Sequence, residues 1–165
     1  MTATAMSTIR SGATLWNQLE EAGMTGIDEV TTIFPGIWFQ VVSIEQQYPG
    51  HSTQVGLQAM SLPAGSWEGR ITIVVDEDID PSDLDSVLWA MCTRCDPVRD
   101  VEIHERTHGS DADPLVTDGE AAFNSRAIVD ATIPYERRED FPPVAQAPPE
   151  YYDQVREKWK AELGL

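Results

Sequence analysis

Cationic side chains are scarce in this sequence. Lysine and arginine together number 11 against 28 aspartates and glutamates, a formal charge of −17. Such a surface repels phosphate backbones and anionic bilayers, so neither nucleic acid nor membrane is expected as a partner. Cysteine is scarcer still, and two residues cannot build a disulfide framework. No apolar run approaches the roughly 20 residues of a membrane span. The opening MTATAMSTIR lacks the apolar core of a secretory signal, so a cytoplasmic location is expected. No glycine-rich phosphate loop, internal repeat or low-complexity tract occurs.

What is present suits one ordered domain. A chain of 165 residues can bury a real core. An apolar fraction of 41% separates it from disordered sequences. Residues 1–12 read as a flexible lead, and 13–165 as the domain. Leu15, Trp16, Leu19 and Ala22 predict a short amphipathic helix closed by Gly23. Pro35-Gly36 marks a turn, and Ile37–Ile44 reads as a strand. A helix is expected from about Ser52 to Ser61, ended by Pro63 and Gly65.

The most informative stretch follows. Ile71–Val75 is a continuous β-branched run, as a strand buried on both faces would be. Asp76-Glu77-Asp78-Ile79-Asp80 comes next, then a helix start with Asp80 as N-cap and Pro81 as first helical residue. Leu84, Val87, Leu88 and Met91 repeat at helical spacing. Asp100–Arg106 alternates like a strand, Gly109–Ser125 reads as a long loop, and Ala127–Ala131 as a short strand. Phe141–Pro149 is proline-rich and extended. A final helix from Pro149 carries Tyr152, Val155, Trp159 and Leu163 along one stripe, the candidate interface with a partner. The fold class expected is α/β, a single domain with a mostly parallel sheet of about four strands flanked by helices.

Four constellations hint at chemistry. His104-Glu105-Arg106-Thr107-His108 spells HExxH, which on a helix binds zinc. Here it lies in a strand pattern, where positions i and i+4 stand about 13 Å apart. Bonds of roughly 2.1 Å cannot bring both rings to one ion. Cys92 and Cys95 form a CxxC at the end of a helix, where the dipole disfavours a thiolate, so a packing role is expected. The Asp76–Asp80 cluster could hold a divalent cation for group transfer through Asp76 and Asp78. EF-hand spacing fails, though, because Pro81 and Val87 stand where a glycine and a glutamate are needed. Helix capping and a solvated turn account for the cluster without a ligand, and it reads as a structural hinge between strand and helix. Tyr48 and His51, at a strand-to-helix junction, are candidates for lining a cleft.

Taken in order, several of these segments resemble the C-terminal domain of the UbiD family of prenylated-flavin-dependent decarboxylases and carboxylases. The carrying residues are Val42-Ser43-Ile44 through Tyr48-Pro49-Gly50-His51, then Ile73 through Pro81. Val87-Leu88-Trp89-Ala90-Met91 with Thr93-Arg94-Cys95-Asp96-Pro97 follows, then Asn124 through Ala131, and finally Phe141-Pro142-Pro143 with the terminal helix. The likeness runs from about Leu15 onward.

The resemblance implies that prenylated FMN, a divalent metal and the catalytic carboxylate–arginine network belong mainly to a region preceding this one. The chain is then expected to be a fragment or a separately encoded small subunit, inactive alone. It would contribute assembly and cleft closure to a larger UbiD-like catalytic chain, or self-associate. No catalytic, metal or firm cofactor residue is assigned to it. Where the family often carries basic residues, this chain has Glu45, Ser52, Thr53 and Gln54. That departure keeps open a non-catalytic assembly or regulatory module. A metal-dependent transferase using Asp76 and Asp78 is the remaining alternative.

Overall fold

The computed structural model describes residues 3–32, 39–110, 113–115, 123–145 and 148–163. Helix α1 (Ala3–Glu21) leads into strands β1 (Ile27–Thr32) and β2 (Phe39–Ile44), then helices α2 (His51–Ser61) and α3 (Pro63–Glu68). Strand β3 (Ile71–Asp76), helix α4 (Leu84–Arg94) and strands β4 (Val101–His108) and β5 (Phe123–Ala131) follow. A 3-10 turn at Tyr135–Arg137 precedes helix α5 (Pro149–Leu163).

The five strands form one sheet in the order β1-β2-β3-β5-β4. The central strands β2, β3 and β5 run parallel, while β1 and β4 flank them antiparallel. The α/β class is therefore as expected, with five strands instead of about four and a mixed sheet. Val30 and Thr32 are the buried residues of β1, too few apolar positions for its sequence to announce a strand.

Both faces of the central strands are covered. On one, Leu15 and Leu19 of α1 and Val55 and Ala59 of α2 pack on Val42, Ile44 and Val74. On the other, Val87 and Ala90 of α4 pack on Val41, Ile73, Val75 and Val129. The pleat sends Ile73 and Val75 one way and Val74 the other, which is why β3 is apolar at every position. Each such side chain contributes roughly 1.5–3 kcal/mol by burial.

Several boundaries differ from the expected ones. Helix α1 starts at Ala3, well before Leu15, and Ser11 and Gly12 are already buried. A Cβ at Gly12 would lie 2.6 Å from the Val30 carbonyl oxygen, so helix and strand meet within the supposed lead. Leu62 is extended and ends α2, and Pro63 then opens α3 as its first residue. Strand β5 starts at Phe123; its first half pairs with β4 alone, and pairing with β3 begins at Ala127. The expected turn at Pro35-Gly36, the start of the strand at Ile37, residues 111–112 and 116–122 of the loop and residues 146–147 of the proline-rich segment lie outside the described residues.

The start of α4 also moves. Asp83, not Asp80, is the N-cap, accepting a hydrogen bond from the Asp85 amide at 3.2 Å. Asp80 instead accepts from the Ser82 amide at 2.8 Å and the Ser82 hydroxyl at 2.6 Å. That local turn competes with helix initiation and seats Ile79 and Pro81 on the core. As a result Val87, Ala90 and Arg94 face the sheet, and Leu84 and Leu88 face outward.

Candidate functional site

The carboxyl ends of parallel strands carry loops that sit over the sheet, the usual place for ligands in α/β proteins. Two constellations meet there in this chain. The first is organised by Arg94. Its Nη1 donates to Asp76 Oδ2 at 3.0 Å, and its Nη1 and Nη2 donate to the two Asp78 oxygens at 2.8 and 2.6 Å. Asp76 also accepts from Gln46 Nε2 at 2.6 Å and from the Ile133 amide at 2.6 Å. Glu77 is paired with Arg138 at 3.0 Å.

The charges settle accordingly. Burial pushes the Asp76 carboxyl up, against the hydrogen bonds from Ile133 and Gln46 and the charge of Arg94. The hydrogen bond from Arg94 holds Asp78 below the ordinary carboxylate range. Burial acts to lower Arg94, but its bonds to Asp78 and Asp76 more than offset that. The two carboxylates proposed for metal chemistry are thus already engaged by a fixed cation. Among the described residues no cluster of three or more metal-ligating side chains occurs.

The second constellation surrounds a cavity of about 220 Å³ between the start of α2 and the ends of β2 and β5. Gln46 links it to the Arg94 hub. Ser52 donates its hydroxyl to Asp130, whose other oxygen accepts from the Thr132 amide at 3.0 Å and hydroxyl at 2.7 Å. Arg99, Asp100, Tyr135 and Glu136 complete the wall. Gly50 makes the sharp entry into α2 with φ at +81°, in the left-handed region that favours glycine.

The two cleft candidates separate. His51 is fully buried, its Nδ1 accepting from the Gln47 amide at 3.3 Å. Burial lowers its pKa, opposed by the Thr25 backbone. Tyr48 lies at the surface, its ring tilted against His51 with centroids 4.6 Å apart, and its hydroxyl donates to Gln54 at 2.7 Å. HExxH lies on β4, an edge strand, with Arg106 at φ +58° where the ladder shifts register. Cys92 is exposed and Cys95 half-buried; burial and three neighbouring aspartates push the Cys95 thiol up. Tyr152, Val155 and Trp159 are all exposed on α5; the Leu163 side chain lies outside the described residues.

Sequence reasoning passed over Arg94 and Asp130 as site residues. A signal existed for the first. Val87, Ala90 and Arg94 share the core-facing side of α4, and an arginine at such a position requires a buried acid. Nothing comparable marks Asp130, whose partner Ser52 is remote in sequence.

The residues present do not suit a flavin phosphate. The cavity wall holds three carboxylates, Asp100, Asp130 and Glu136, against one Arg99, and after the buried His51 the first turn of α2 reads Ser52-Thr53-Gln54, with no lysine or arginine. No helix among the described residues is long and apolar enough to cross a membrane.

Comparison with known proteins places the chain in context. The profile of the 3-octaprenyl-4-hydroxybenzoate carboxy-lyase C-terminal domain (UbiD_C) matches residues 4–131. The phenolic acid decarboxylase of Sedimentibacter hydroxybenzoicus is 32% identical over 126 residues, 76% of this chain and 26% of that protein. The chain therefore spans about a quarter of this relative's length. The vanillic acid decarboxylase ShVdcCD of the same organism superposes with TM-scores of 0.72 in its open form and 0.74 in its closed form, at 30% identity. In the closed form the match covers 94% of this chain and 32% of that one. The UbiD-class enzyme HmfF of Pelotomaculum thermopropionicum, in complex with FMN, is 27% identical with a TM-score of 0.72, over 86% of this chain and 31% of HmfF. An evolved dimeric form of HmfF, in complex with prFMN, superposes at 26% identity with a TM-score of 0.58, over 86% and 29%.

Proposed function

This chain belongs to the UbiD family as its C-terminal domain, and from that premise we propose that it works as the C-terminal part of a carboxy-lyase. The substrates in this reading are aromatic or unsaturated carboxylic acids. Its contribution is assembly and closure of the active-site cleft, with the catalytic residues on a larger UbiD-like chain. One observation carries the reading: almost the whole chain matches about a third of a decarboxylase solved in both open and closed forms.

Prenylated FMN supplies the electron sink for loss of CO₂ in such a complex. The acidic cavity and the absence of lysine or arginine in the first turn of α2 support placing that cofactor, with its divalent metal, on the larger chain. The role left for this chain is mechanical. Central strands buried on both faces and tied at their carboxyl end by Arg94 make a rigid body. A rigid body can swing against a catalytic domain without losing its own packing.

Co-expression with a larger UbiD-like chain from the same source tests the reading. Joint purification is expected, with flavin absorbance and decarboxylation in the complex and neither in this chain by itself. Full activity of the larger chain alone would sink it.

A further inference from the structure

Arg10 is a cation without an acid in a chain where acids outnumber basic side chains 28 to 11. Arg70, Arg94, Arg99 and Arg138 each meet a carboxylate, and Arg126 is held by backbone carbonyls. Arg10 is exposed on α1 and forms no ion pair among the described residues.

The packing of α1 decides what surrounds it. Leu15 and Leu19 lie on the sheet, so Arg10, Thr14 and Gln18, spaced by four, run along one flank of the helix. That flank meets α3, where Gln18 Oε1 accepts from the Ala64 amide at 3.0 Å. Beside this bond the two helices leave a groove of about 360 Å³, lined by Arg10, Ser11, Thr14, Pro63, Ala64 and Trp67. Pro63 and Trp67 are also spaced by four and share one side of α3. Trp67 is 49% exposed, so its indole stands half in water.

The lining sets the ligand. A guanidinium is a planar fork of donors that pairs bidentately with a carboxylate. The indole, the proline ring and the alanine methyl offer flat apolar contact to an aromatic ring. The volume lies in the range of small-molecule sites. A phosphate ester fits less well. No second cation lines the groove, and a net charge of −17 repels a dianion more than a monoanion. An aliphatic acid would leave the indole face unmatched. We propose that the groove between α1 and α3 binds a planar aromatic monocarboxylate, its carboxylate on Arg10 and its ring against Trp67. This groove shares no residue with the cavity at the start of α2. The proposal stands on the groove alone and does not rest on the catalytic role given above.

Naphthoate is the probe, used with the full chain. Titration followed by proton–nitrogen correlation NMR should move the Trp67 indole N–H and the Arg10 side-chain N–H, together with the amides of α3. A dissociation constant of about 1 mM is expected for so small a ligand in an open groove. Naphthol keeps the rings without the carboxylate, and acetate keeps the carboxylate without the rings. Each should bind at least about tenfold more weakly than naphthoate. Arg10→Gln and Trp67→Ala should each weaken naphthoate at least about tenfold, with thermal unfolding unchanged because both positions are exposed. Titration of the unaltered chain decides the matter even where a variant is less stable. An unmoved Trp67 indole at about 10 mM naphthoate overturns the proposal. So does naphthol binding as tightly as naphthoate, which would make the groove an apolar patch. Binding indifferent to both substitutions overturns it as well. None of these measurements reads activity, so failure here is distinct from failure of the catalytic reading.

Discussion

Arg94 lies 3.0 Å from Asp76 at the carboxyl end of β3, with 1% and 4% of the two side chains exposed. The arginine leaves the core-facing side of α4 to meet the last residue of a buried strand, so the pair fastens helix to sheet. A buried ion pair of this kind gains little over a well-packed apolar substitute, but removing one partner leaves an uncompensated charge.

Arg94→Met should therefore cost about 3–5 kcal/mol, since it leaves Asp76 buried without its cation. Asp76→Asn combined with Arg94→Met should recover part of the loss, because the amide keeps a shape that Gln46 and Ile133 can still contact. Urea unfolding of the two variants beside the parent checks both. Equal loss in single and double variants would mean that Arg94 matters through packing alone.

His51 makes stability depend on pH near neutrality. Its folded-state pKa lies below the ordinary 6.5 because it is buried. Below that ordinary value the unfolded chain binds the proton first, so stability falls as pH drops through about 6.5 and below. Denaturant midpoints measured from about pH 7.5 to 5.5 should decline, and His51→Gln should flatten the decline. An unchanged slope in that variant would assign the effect to other groups.

Gly56 sits in α2 where helix propensity alone predicts that alanine helps by up to about 1 kcal/mol. The packing says otherwise. A Cβ there would stand 2.6 Å from Ile128 Cγ2, on a β-branched side chain that is itself buried. Overpacking outweighs propensity, and Gly56→Ala should destabilise by about 1–3 kcal/mol. Thermal unfolding gives the sign directly.

Arg126 is 1% exposed and donates to the carbonyls of Gly65 at 2.9 Å and His108 at 3.1 Å, and also to those of Ser66 and Gly69. It closes the end of α3 onto β4 and β5, with burial lowering its pKa. Arg126→Lys keeps the charge but loses the planar fork, and should cost about 1–3 kcal/mol through unsatisfied carbonyls. Hydrogen exchange should quicken first in Ser66–Gly69; uniform quickening across the domain would contradict this local role.

The local pattern of residues determined much of this protein. The β-branched run Ile71–Val75 could only be a strand covered on both faces, and the ordered motifs from Val42 to Ala131 carried the family. Period-two alternation at Asp100–Arg106 removed HExxH from helical zinc chemistry. These features are local, set by backbone preference and by the side on which each residue falls. Tertiary structure decided what depends on distant partners. It chose Asp83 over Asp80 as the cap, because Ser82 occupies Asp80 and the core draws in Ile79. It turned Leu84 and Leu88 outward by placing Arg94 on Asp76. It buried His51 against Gly26, and it brought Ser52 to Asp130. Spacing along the chain does not encode those meetings, because each depends on how the sheet aligns segments that are remote in sequence.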